Sequence, residues 1–449
     1  MSRPRQRPGL AAAAVVLAAT QLGLAYYTPR PHTAQLLLLF GLGTLAYAAL
    51  LHWRLSWRAG LLLALLLRLL WLPARPALSD DYHRFRWDGA LVVAGHSPFR
   101  HRPDEYQAGG GRLPNPPGLT SALYQRLNSP HYYSVYPPVC QGLFGLAARL
   151  FPGAELGQIV TLRLALLLAE AATALLLLAL LRRFGQPPER ALMYLLHPLT
   201  VAELVGNLHF EAVVISGLLG ALWLLTRRRL GLAAAALTLG VAAKLTPLLV
   251  LPLLLRRLGW ARTAAFGALV ALLLAAAFAP FASLALLRNL GRSLDLYFHS
   301  FEFNASVYYL LRAVGYRLTG YNEIARLGTG LAAAAVAGIL ALVLLERRPT
   351  LATLPRAALL AFTGYYLLAT TVHPWYLTPL LALSCFTGWR YPAAWAALAT
   401  LSYATYRSAA YQENLWLVAL EYLGVALLMA ADWHRSRQPR SLDDVRQPA

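Results

Sequence analysis

Long blocks of apolar residues, separated by short polar turns, follow one another along nearly the whole chain. Several of them, such as residues 9–26 and 158–181, match the roughly 18 to 20 residues that an α-helix needs to cross a bilayer. The blocks consist mainly of Leu, Ala and Val with few central Gly or Pro, which is typical of helices, and they lack the alternation of membrane-barrel strands. The pattern therefore predicts an all-α fold, a polytopic transmembrane helical bundle of about 12–14 spans with large extracytoplasmic loops.

The composition agrees with a membrane protein, since 58% of the residues are hydrophobic and only 13% are charged. The formal net charge of +21 does not indicate nucleic-acid binding, because the arginines stand mostly at the ends of apolar blocks, where they set topology and contact anionic lipid head groups. Cys140 and Cys385 lie in or beside apolar blocks, which gives neither a disulfide framework nor a metal-type spacing. We expect membrane lipid as a partner, and no nucleic acid.

The arginines also predict the topology of the chain. Arg3, Arg5 and Arg7 precede the first apolar block as in a signal sequence, yet no clear cleavage site follows, so we expect an uncleaved first helix with a cytoplasmic N-terminus. Residues 136–150 then make no net crossing, which predicts a re-entrant or interfacial helix there. The predicted organisation begins with three spans in residues 1–73, followed by a large extracytoplasmic catalytic loop in 74–136. Spans with re-entrant or broken segments in 137–282 lead to a second extracytoplasmic loop in 283–326. Further spans in 327–432 precede a cytoplasmic tail in 433–449, which is expected to be disordered after Arg435.

The first of these loops carries the densest chemistry in the chain, in residues 79–98, which read SDDYHRFRWDGALVVAGHSP. Asp80 and Asp81 are adjacent and therefore point differently, so one can face a reaction while the other holds a helix N-terminus. The residues that follow fit a short amphipathic helix, and Asp88 with Gly89 indicates a turn. The plain alternative for the two aspartates is a helix cap plus surface charge.

Ionisable groups inside apolar blocks are candidates for a function, because burying them in a bilayer is costly. Glu203, His209 and Glu211 stand at or near the outer end of two predicted spans. Lys244, the only lysine, lies between two apolar runs that are too short to span separately, so its ammonium could face a polar cavity and bind a phosphate. Snorkelling of this lysine to the membrane surface is the plain alternative.

Three further segments combine polar and aromatic residues at predicted outer ends of spans. They contribute His131, Tyr136 and Gln141 at the end of the first loop, Asn304 and Tyr308 in the second loop, and His373 and Tyr376 at the start of a later span. An interfacial belt of aromatic residues is the plain alternative for such segments. The chain has no P-loop, dinucleotide fingerprint, Ser/His/Asp arrangement or paired His/Cys spacing, so the energy for a reaction must come with the substrate or from a gradient.

Taken in order, these motifs resemble those of bacterial members of the GT-C glycosyltransferase superfamily, and most closely polyprenyl-phosphate-mannose-dependent mannosyltransferases. The motifs that carry the resemblance are DDYHRFRWDG, GHSPF, YPP before Gln141, HP before a Glu and His-Phe-Glu, KLTP, NASVYY and HPWY. The resemblance implies an enzyme of the bacterial inner membrane whose active site faces the extracytoplasmic side. It also implies a polyprenyl-phosphate-linked sugar donor, with mannose as the favoured sugar, and a glycolipid or glycan acceptor.

The resemblance also implies roles for single residues. The catalytic carboxylate would be Asp80 or Asp81, acting as general base in an inverting displacement, and Lys244, with Arg84 or His209, would bind the donor phosphate. A divalent metal, which a separated acidic pair binds in some relatives, is disfavoured because these aspartates are adjacent; no metal ligand or other cofactor is assigned. The expected substrate-binding residues are Arg86, Trp87, His131, Tyr136, Gln141, Glu203, Glu211, Asn304, Tyr308, His373 and Tyr376.

Two other classes of protein fit a helical membrane chain. A transporter or flippase of lipid-linked sugars would show paired repeats with interrupted helices in both halves, whereas one interrupted pair is evident. A membrane scaffold would not need clustered carboxylates and aromatic residues.

A retaining transferase would need a second carboxylate as nucleophile, for which Glu203 or Glu211 is the candidate. The sequence favours the inverting glycosyltransferase.

Overall fold

The computed structural model describes residues 7–108, 113, 116–407 and 411–437. In these residues the fold is built from helices, and the only extended pairing is a parallel bridge between Phe303 and Thr371. The all-α prediction is confirmed. Up to residue 226 the α-helices are α1 Arg7–Tyr26, α2 Thr33–His52, α3 Trp57–Leu69, α4 Asp81–Val93, α5 Pro103–Ala108, α6 Ser121–Tyr124, α7 Pro138–Leu150, α8 Glu155–Arg183, α9 Leu192–Leu195, α10 Pro198–Thr200 and α11 Glu211–Thr226. After it they are α12 Leu230–Val241, α13 Leu255–Leu258, α14 Trp260–Phe278, α15 Leu284–His299, α16 Val307–Thr319, α17 Ile324–Leu345, α18 Leu354–Leu368, α19 Thr378–Ser384, α20 Tyr391–Leu398 and α21 Leu415–Arg437.

Membrane-spanning helices can be recognised by their length and apolar composition. In the described part of the chain six helices qualify, namely Pro8–Tyr26, Thr33–His52, Glu155–Arg183, Trp260–Phe281, Ile324–Leu345 and Leu415–Ser436. A seventh span results if Pro198–Gly206 and Glu211–Thr226, which meet at 108°, are counted as one bent span. The chain is therefore an integral membrane protein. The sequence pattern suggests more spans because hydropathy does not register helix breaks, which leave only 13 residues in α3 and 15 in α18.

The breaks concentrate in the middle of the chain, where short helices of other types replace regular α-helix. A π-helix at Val201–Gly206 precedes a sharp turn at Leu208, which has a φ of +64°. After α12, 3-10 helices at Thr246–Val250 and Pro252–Leu254 interrupt the next apolar block just beyond Lys244. Such breaks leave backbone carbonyl groups without partners inside a helix.

Arg163 of α8 satisfies several of these carbonyl groups. Its fully buried side chain donates hydrogen bonds to the carbonyl oxygens of Leu72 and Ala74 at 2.7 Å, of Val205 at 2.8 Å and of Gly206 at 2.7 Å. One side chain therefore ties the start of the first loop to the helix break before α11.

The first loop, residues 74–136, folds against the bundle because α4 packs closely on α7. The contact depends on Gly89, where a Cβ would lie 2.5 Å from the carbonyl oxygen of Phe144, and Phe85 stacks on the Phe144 ring with 4.5 Å between centroids. The predicted turn at Asp88 and Gly89 is wrong, since both residues lie inside α4. This glycine permits close packing of two helices and does not mark a turn.

α7 covers the block for which the sequence predicts no net crossing. It has 13 residues, or about 20 Å at 1.5 Å per residue, which is shorter than a hydrocarbon core of about 30 Å. Its re-entrant or interfacial placement stays a prediction.

The second loop and the predicted tail also contain helices. The second loop, residues 283–326, holds α15 and α16, and α15 packs against α17. α21 continues through the first residues of the predicted tail as far as Arg437. The rest of the predicted tail lies outside the described residues.

Candidate active site

A cavity of about 730 Å³ opens between the two loops and the broken helices. Its polar lining comes from segments that are far apart in the chain: the turn after α1, the start of α4, the stretch before α7, the two helix breaks and the segments around α19 and α20. The sequence-predicted residues that line it are Asp80, Asp81, Arg84, Tyr136, His209, Glu211, Lys244, His373 and Tyr376. The fold therefore brings together most of the motifs that stand out in the sequence.

The two adjacent aspartates have different surroundings. Asp80 Oδ2 lies 2.5 Å from Arg30 Nη1, and that guanidinium rests over the ring of Tyr406, 3.8 Å from its centroid. Asp81 is the first residue of α4, and its Oδ1 accepts a hydrogen bond of 2.7 Å from the Asn128 side chain. Asp80 makes no side-chain cap bond to the helix. Among the described residues Asp81 has no ion-pair partner, so its carboxylate lines the cavity without a paired cation.

Lys244 reaches the cavity at the break that follows α12. Its ammonium forms an ion pair with Glu211 and lies 3.5 Å from the centroid of the Tyr376 ring. The Lys244 side chain is 29% exposed and that of Glu211 is 5% exposed, so the cation is the accessible member of the pair. Glu211 and Tyr376 hold the ammonium in place, so that a ligand in the cavity can contact a positive charge.

His209, Trp375 and His373 form an aromatic stack in the cavity wall. The rings of His209 and Trp375 are 3.8 Å apart and those of Trp375 and His373 are 4.4 Å apart, both nearly parallel. His209 Nδ1 lies 3.1 Å from the carbonyl oxygen of Glu203 and 2.9 Å from its Oε2. His209 Nε2 and His373 Nδ1 are buried and have no hydrogen-bond partner in the described part of the chain. These two nitrogens are therefore available to a ligand.

The remaining wall of the cavity is apolar. Only 11% of the spanning window of α14 and 28% of that of α17 are buried, so most of the surface of both helices is left for the bilayer. The cavity thus combines charged lining residues with an apolar wall beside lipid-facing helices. The apolar wall consists of Leu274 and Phe278 in α14, Leu290 and Leu296 in α15, and Leu331, Ala332 and Ala335 in α17.

The cavity-lining segments in the N-terminal half of the chain lie in a region that matches a known family. Residues 7–262, more than half of the chain, match the family described as alpha-(1->6)-mannopyranosyltransferase, N-terminal domain. The chain belongs to this mannosyltransferase family. The matched range contains the whole first loop and both helix breaks, and it confirms the resemblance to GT-C mannosyltransferases. No individual curated protein matches the sequence of this chain.

In this mannosyltransferase, Gln141 and Arg84 hold the first loop together around Asp88. The Gln141 side chain donates to Asp88 Oδ2 at 3.0 Å and to the Ser134 hydroxyl at 2.8 Å, and that hydroxyl donates to Asp88 Oδ2 at 2.5 Å. Arg84 Nε donates to Asp88 Oδ1 at 2.8 Å, and its Nη1 donates to two carbonyl groups of the loop. Arg84 therefore lines the cavity, but its side chain is already hydrogen-bonded within the first loop.

Three other predicted substrate-binding residues lie outside the cavity lining. Arg86 is paired with Glu155 at 2.8 Å, which ties α4 to the start of α8. Trp87 is buried in a small apolar cluster within the first loop. His131 is largely exposed and lies 2.9 Å from Asp104. A substrate-binding role for these residues stays a prediction.

Glu203, Asn304 and Tyr308 belong to buried polar clusters beside the cavity. Glu203 Oε1 accepts a hydrogen bond of 2.5 Å from the Tyr403 hydroxyl, and the Asn304 side chain donates to Glu421 at 3.2 Å. The Tyr308 hydroxyl donates at 2.5 Å to a glutamate of the second loop. Among the described residues no group of three or more His, Cys, Asp and Glu side chains is arranged to hold a metal ion.

Burial changes the titration of two α4 side chains next to the aspartates. It is the main cause that lowers the pKa of His83, and it raises the pKa of Tyr82 to about 12. Both side chains are therefore neutral near pH 7 and add no charge beside Asp80.

Arg30, Asn128 and Tyr406 are among the lining residues that the sequence does not predict. Arg30 did leave a signal, because it stands at a predicted outer turn, where the positive-inside rule disfavours arginine. Asn128 and Tyr406 belong to no motif that would have distinguished them from other loop residues.

Proposed function

We propose that the mannosyltransferase moves mannose from polyprenyl-phosphate mannose to a hydroxyl group of a glycolipid or glycan acceptor. The observation that carries this proposal is the two-part cavity, which is lined by the charged residues Asp81 and Lys244 and by an apolar wall that borders lipid-facing helices. A polyprenyl-linked sugar has the same two parts, an apolar chain and a phosphate beside the sugar. The reaction is assigned to the extracytoplasmic side of the bacterial inner membrane, since the positive-inside rule predicts both cavity-lining loops there.

Lys244 is the proposed ligand of the donor phosphate. When the bond from the anomeric carbon to the phosphate oxygen breaks, negative charge grows on the leaving polyprenyl phosphate. A fixed cation close to that oxygen stabilises the transition state more than the ground state. His209 supports the same role because it lines the same cavity as Lys244, and its buried Nε2 has no hydrogen-bond partner in the described part of the chain.

Asp81 is the proposed general base. The carboxylate of Asp80 is already engaged in an ion pair with Arg30. In the described part of the chain Asp81 accepts from one neutral side-chain donor, the Asn128 amide, on one oxygen, which leaves the other oxygen for an acceptor hydroxyl. This difference favours Asp81 over Asp80.

The proposed step is a single displacement. The acceptor oxygen forms a bond to the anomeric carbon while the bond to the donor phosphate breaks. The hydroxyl proton passes to the carboxylate of Asp81, and polyprenyl phosphate leaves with the bonding electrons. Attack from the side opposite the phosphate inverts the anomeric centre. A retaining path would need Glu203 or Glu211 as nucleophile, but Glu203 accepts a hydrogen bond from Tyr403 and Glu211 is engaged by Lys244.

The assignment is tested by replacing each aspartate singly in purified enzyme reconstituted in lipid. Asp81→Asn removes the base and should lower mannosyl transfer by roughly 100-fold or more, whereas Asp80→Asn should retain measurable transfer. Both variants should elute from size exclusion as the wild type does. Transfer by Asp81→Asn at the rate of the wild type would remove the base assignment.

A further inference from the structure

Arg30 is a cavity residue with no role in the reaction described so far. It lies in the turn between α1 and α2, between Pro29 and Pro31. The ring of Pro31 narrows the backbone conformations open to Arg30, and Pro29 has its own φ fixed. The turn is closed by a hydrogen bond of 2.9 Å from the His32 N–H to the Pro29 carbonyl oxygen. The backbone that carries the Arg30 side chain therefore has little conformational freedom.

The Arg30 side chain is also held in place by its contacts. Its guanidinium lies 3.8 Å from the centroid of the Tyr406 ring and 5.8 Å from that of Tyr411. Nη1 binds Asp80 Oδ2 at 2.5 Å, while the side chain is only 20% exposed. These contacts fix the guanidinium from the side opposite α4, so the salt bridge connects the first helical hairpin to the catalytic loop.

The position of this salt bridge matters because Asp80 adjoins the proposed base. Two adjacent carboxylates at the edge of one cavity repel each other, and each makes protonation of the other more favourable. A cation on Asp80 offsets that repulsion. The cation also holds Asp80 away from the hydroxyl that Asp81 must reach.

We propose that Arg30 is a positioning residue of mannosyl transfer, which neutralises Asp80 and so keeps Asp81 available as the base. This inference rests on the proposed function of Asp81. Arg30 acts through the aspartates and does not contact the reacting atoms.

The other charged and titratable groups that face the aspartates do not supply this compensation. Tyr376 and Tyr406 also line the cavity, but their phenol groups carry no positive charge. On α4 itself, Tyr82 and His83 are neutral near pH 7 for the reasons given above. Beyond them, Arg86 and Arg126 are engaged by Glu155, and Lys244 is engaged by Glu211.

The test is the pH dependence of kcat/KM for mannosyl transfer in four forms of the full-length enzyme, namely the wild type, Arg30→Gln, Arg30→Lys and Arg30→Gln/Asp80→Asn. Arg30→Gln leaves Asp80 uncompensated, so the acidic limb should move up by about one pH unit, with about tenfold lower activity below the limb and little change above it. Arg30→Lys keeps the charge and should leave the limb near its wild-type position. The double variant removes both charges and should return the limb toward the wild type.

An unmoved acidic limb in Arg30→Gln would overturn the inference, as would a shift that Asp80→Asn does not reverse. A higher KM for the donor with no change in the pH profile would instead assign Arg30 to the donor phosphate. Failure of the proposed function is seen separately, because full activity in Asp81→Asn would remove the base whatever the Arg30 variants do.

Discussion

At the level of single residues, the ion pairs of the cavity distinguish its two adjacent aspartates. Arg30 pairs with Asp80, whereas in the described part of the chain Asp81 accepts only from the neutral Asn128 amide. A residue that looks catalytic in the sequence can therefore be a structural partner, and its neighbour can be the reactive group.

The phosphate role of Lys244 gives a prediction at this scale. Lys244→Gln should raise the KM for polyprenyl-phosphate mannose by roughly tenfold or more, because a charge-assisted bond to phosphate is lost, and kcat should also fall. Lys244→Arg keeps the charge, so its donor KM should lie between those of the wild type and Lys244→Gln. Initial rates at varied donor and fixed acceptor measure this, and a donor KM that is the same in Lys244→Gln as in the wild type would refute the phosphate role.

Residues were predictable from the sequence where an ionisable group interrupts an apolar block, because burial in a bilayer makes such groups costly. Glu211 and Lys244 were found in this way, and both line the cavity. The same reasoning could not find Asn128, which is an ordinary polar residue of a polar loop. The turn predicted from Asp88 and Gly89 was wrong for a different reason, since nothing in the local sequence shows that Gly89 packs against a neighbouring helix.

At the level of elements, helix breaks bring the site residues together. The break before α11 carries His209 and Glu211, and the break after α12 carries Lys244. The sequence predicted an interrupted helix at Lys244 from run lengths, but the π-helix before α11 has no comparable local signal. Its stability depends on Arg163, which comes from another helix.

Arg163 gives a prediction for these elements. Arg163→Met removes four hydrogen bonds and leaves buried carbonyl groups unpaired, a loss of roughly 3 kcal/mol or more of unfolding free energy. The midpoint of thermal unfolding in detergent should fall by several degrees. Arg347→Met, at an exposed arginine, is the control and should leave the midpoint unchanged. Equal midpoints for both variants would contradict the role of Arg163 as a tie between loop and break.

At the level of the whole molecule, the helical class and the membrane location followed from the apolar blocks, because only helices and closed barrels satisfy backbone groups in lipid. The number of separate spanning helices did not follow, since breaks such as that between α10 and α11 depend on packing among distant segments. The family match covers residues 7–262, yet part of the cavity wall comes from α15 and α17 beyond that range. The apolar wall is thus a feature that only the folded chain makes visible.

The most direct test of the central claim is the choice of donor by purified wild-type enzyme in lipid vesicles. Radiolabelled mannose is supplied either on polyprenyl phosphate or on a nucleoside diphosphate, together with a membrane glycolipid extract as acceptor. The two-part cavity predicts labelled product from the polyprenyl donor alone, with loss of that product in Asp81→Asn. Product from the nucleotide donor, with none from the polyprenyl donor, would contradict the account.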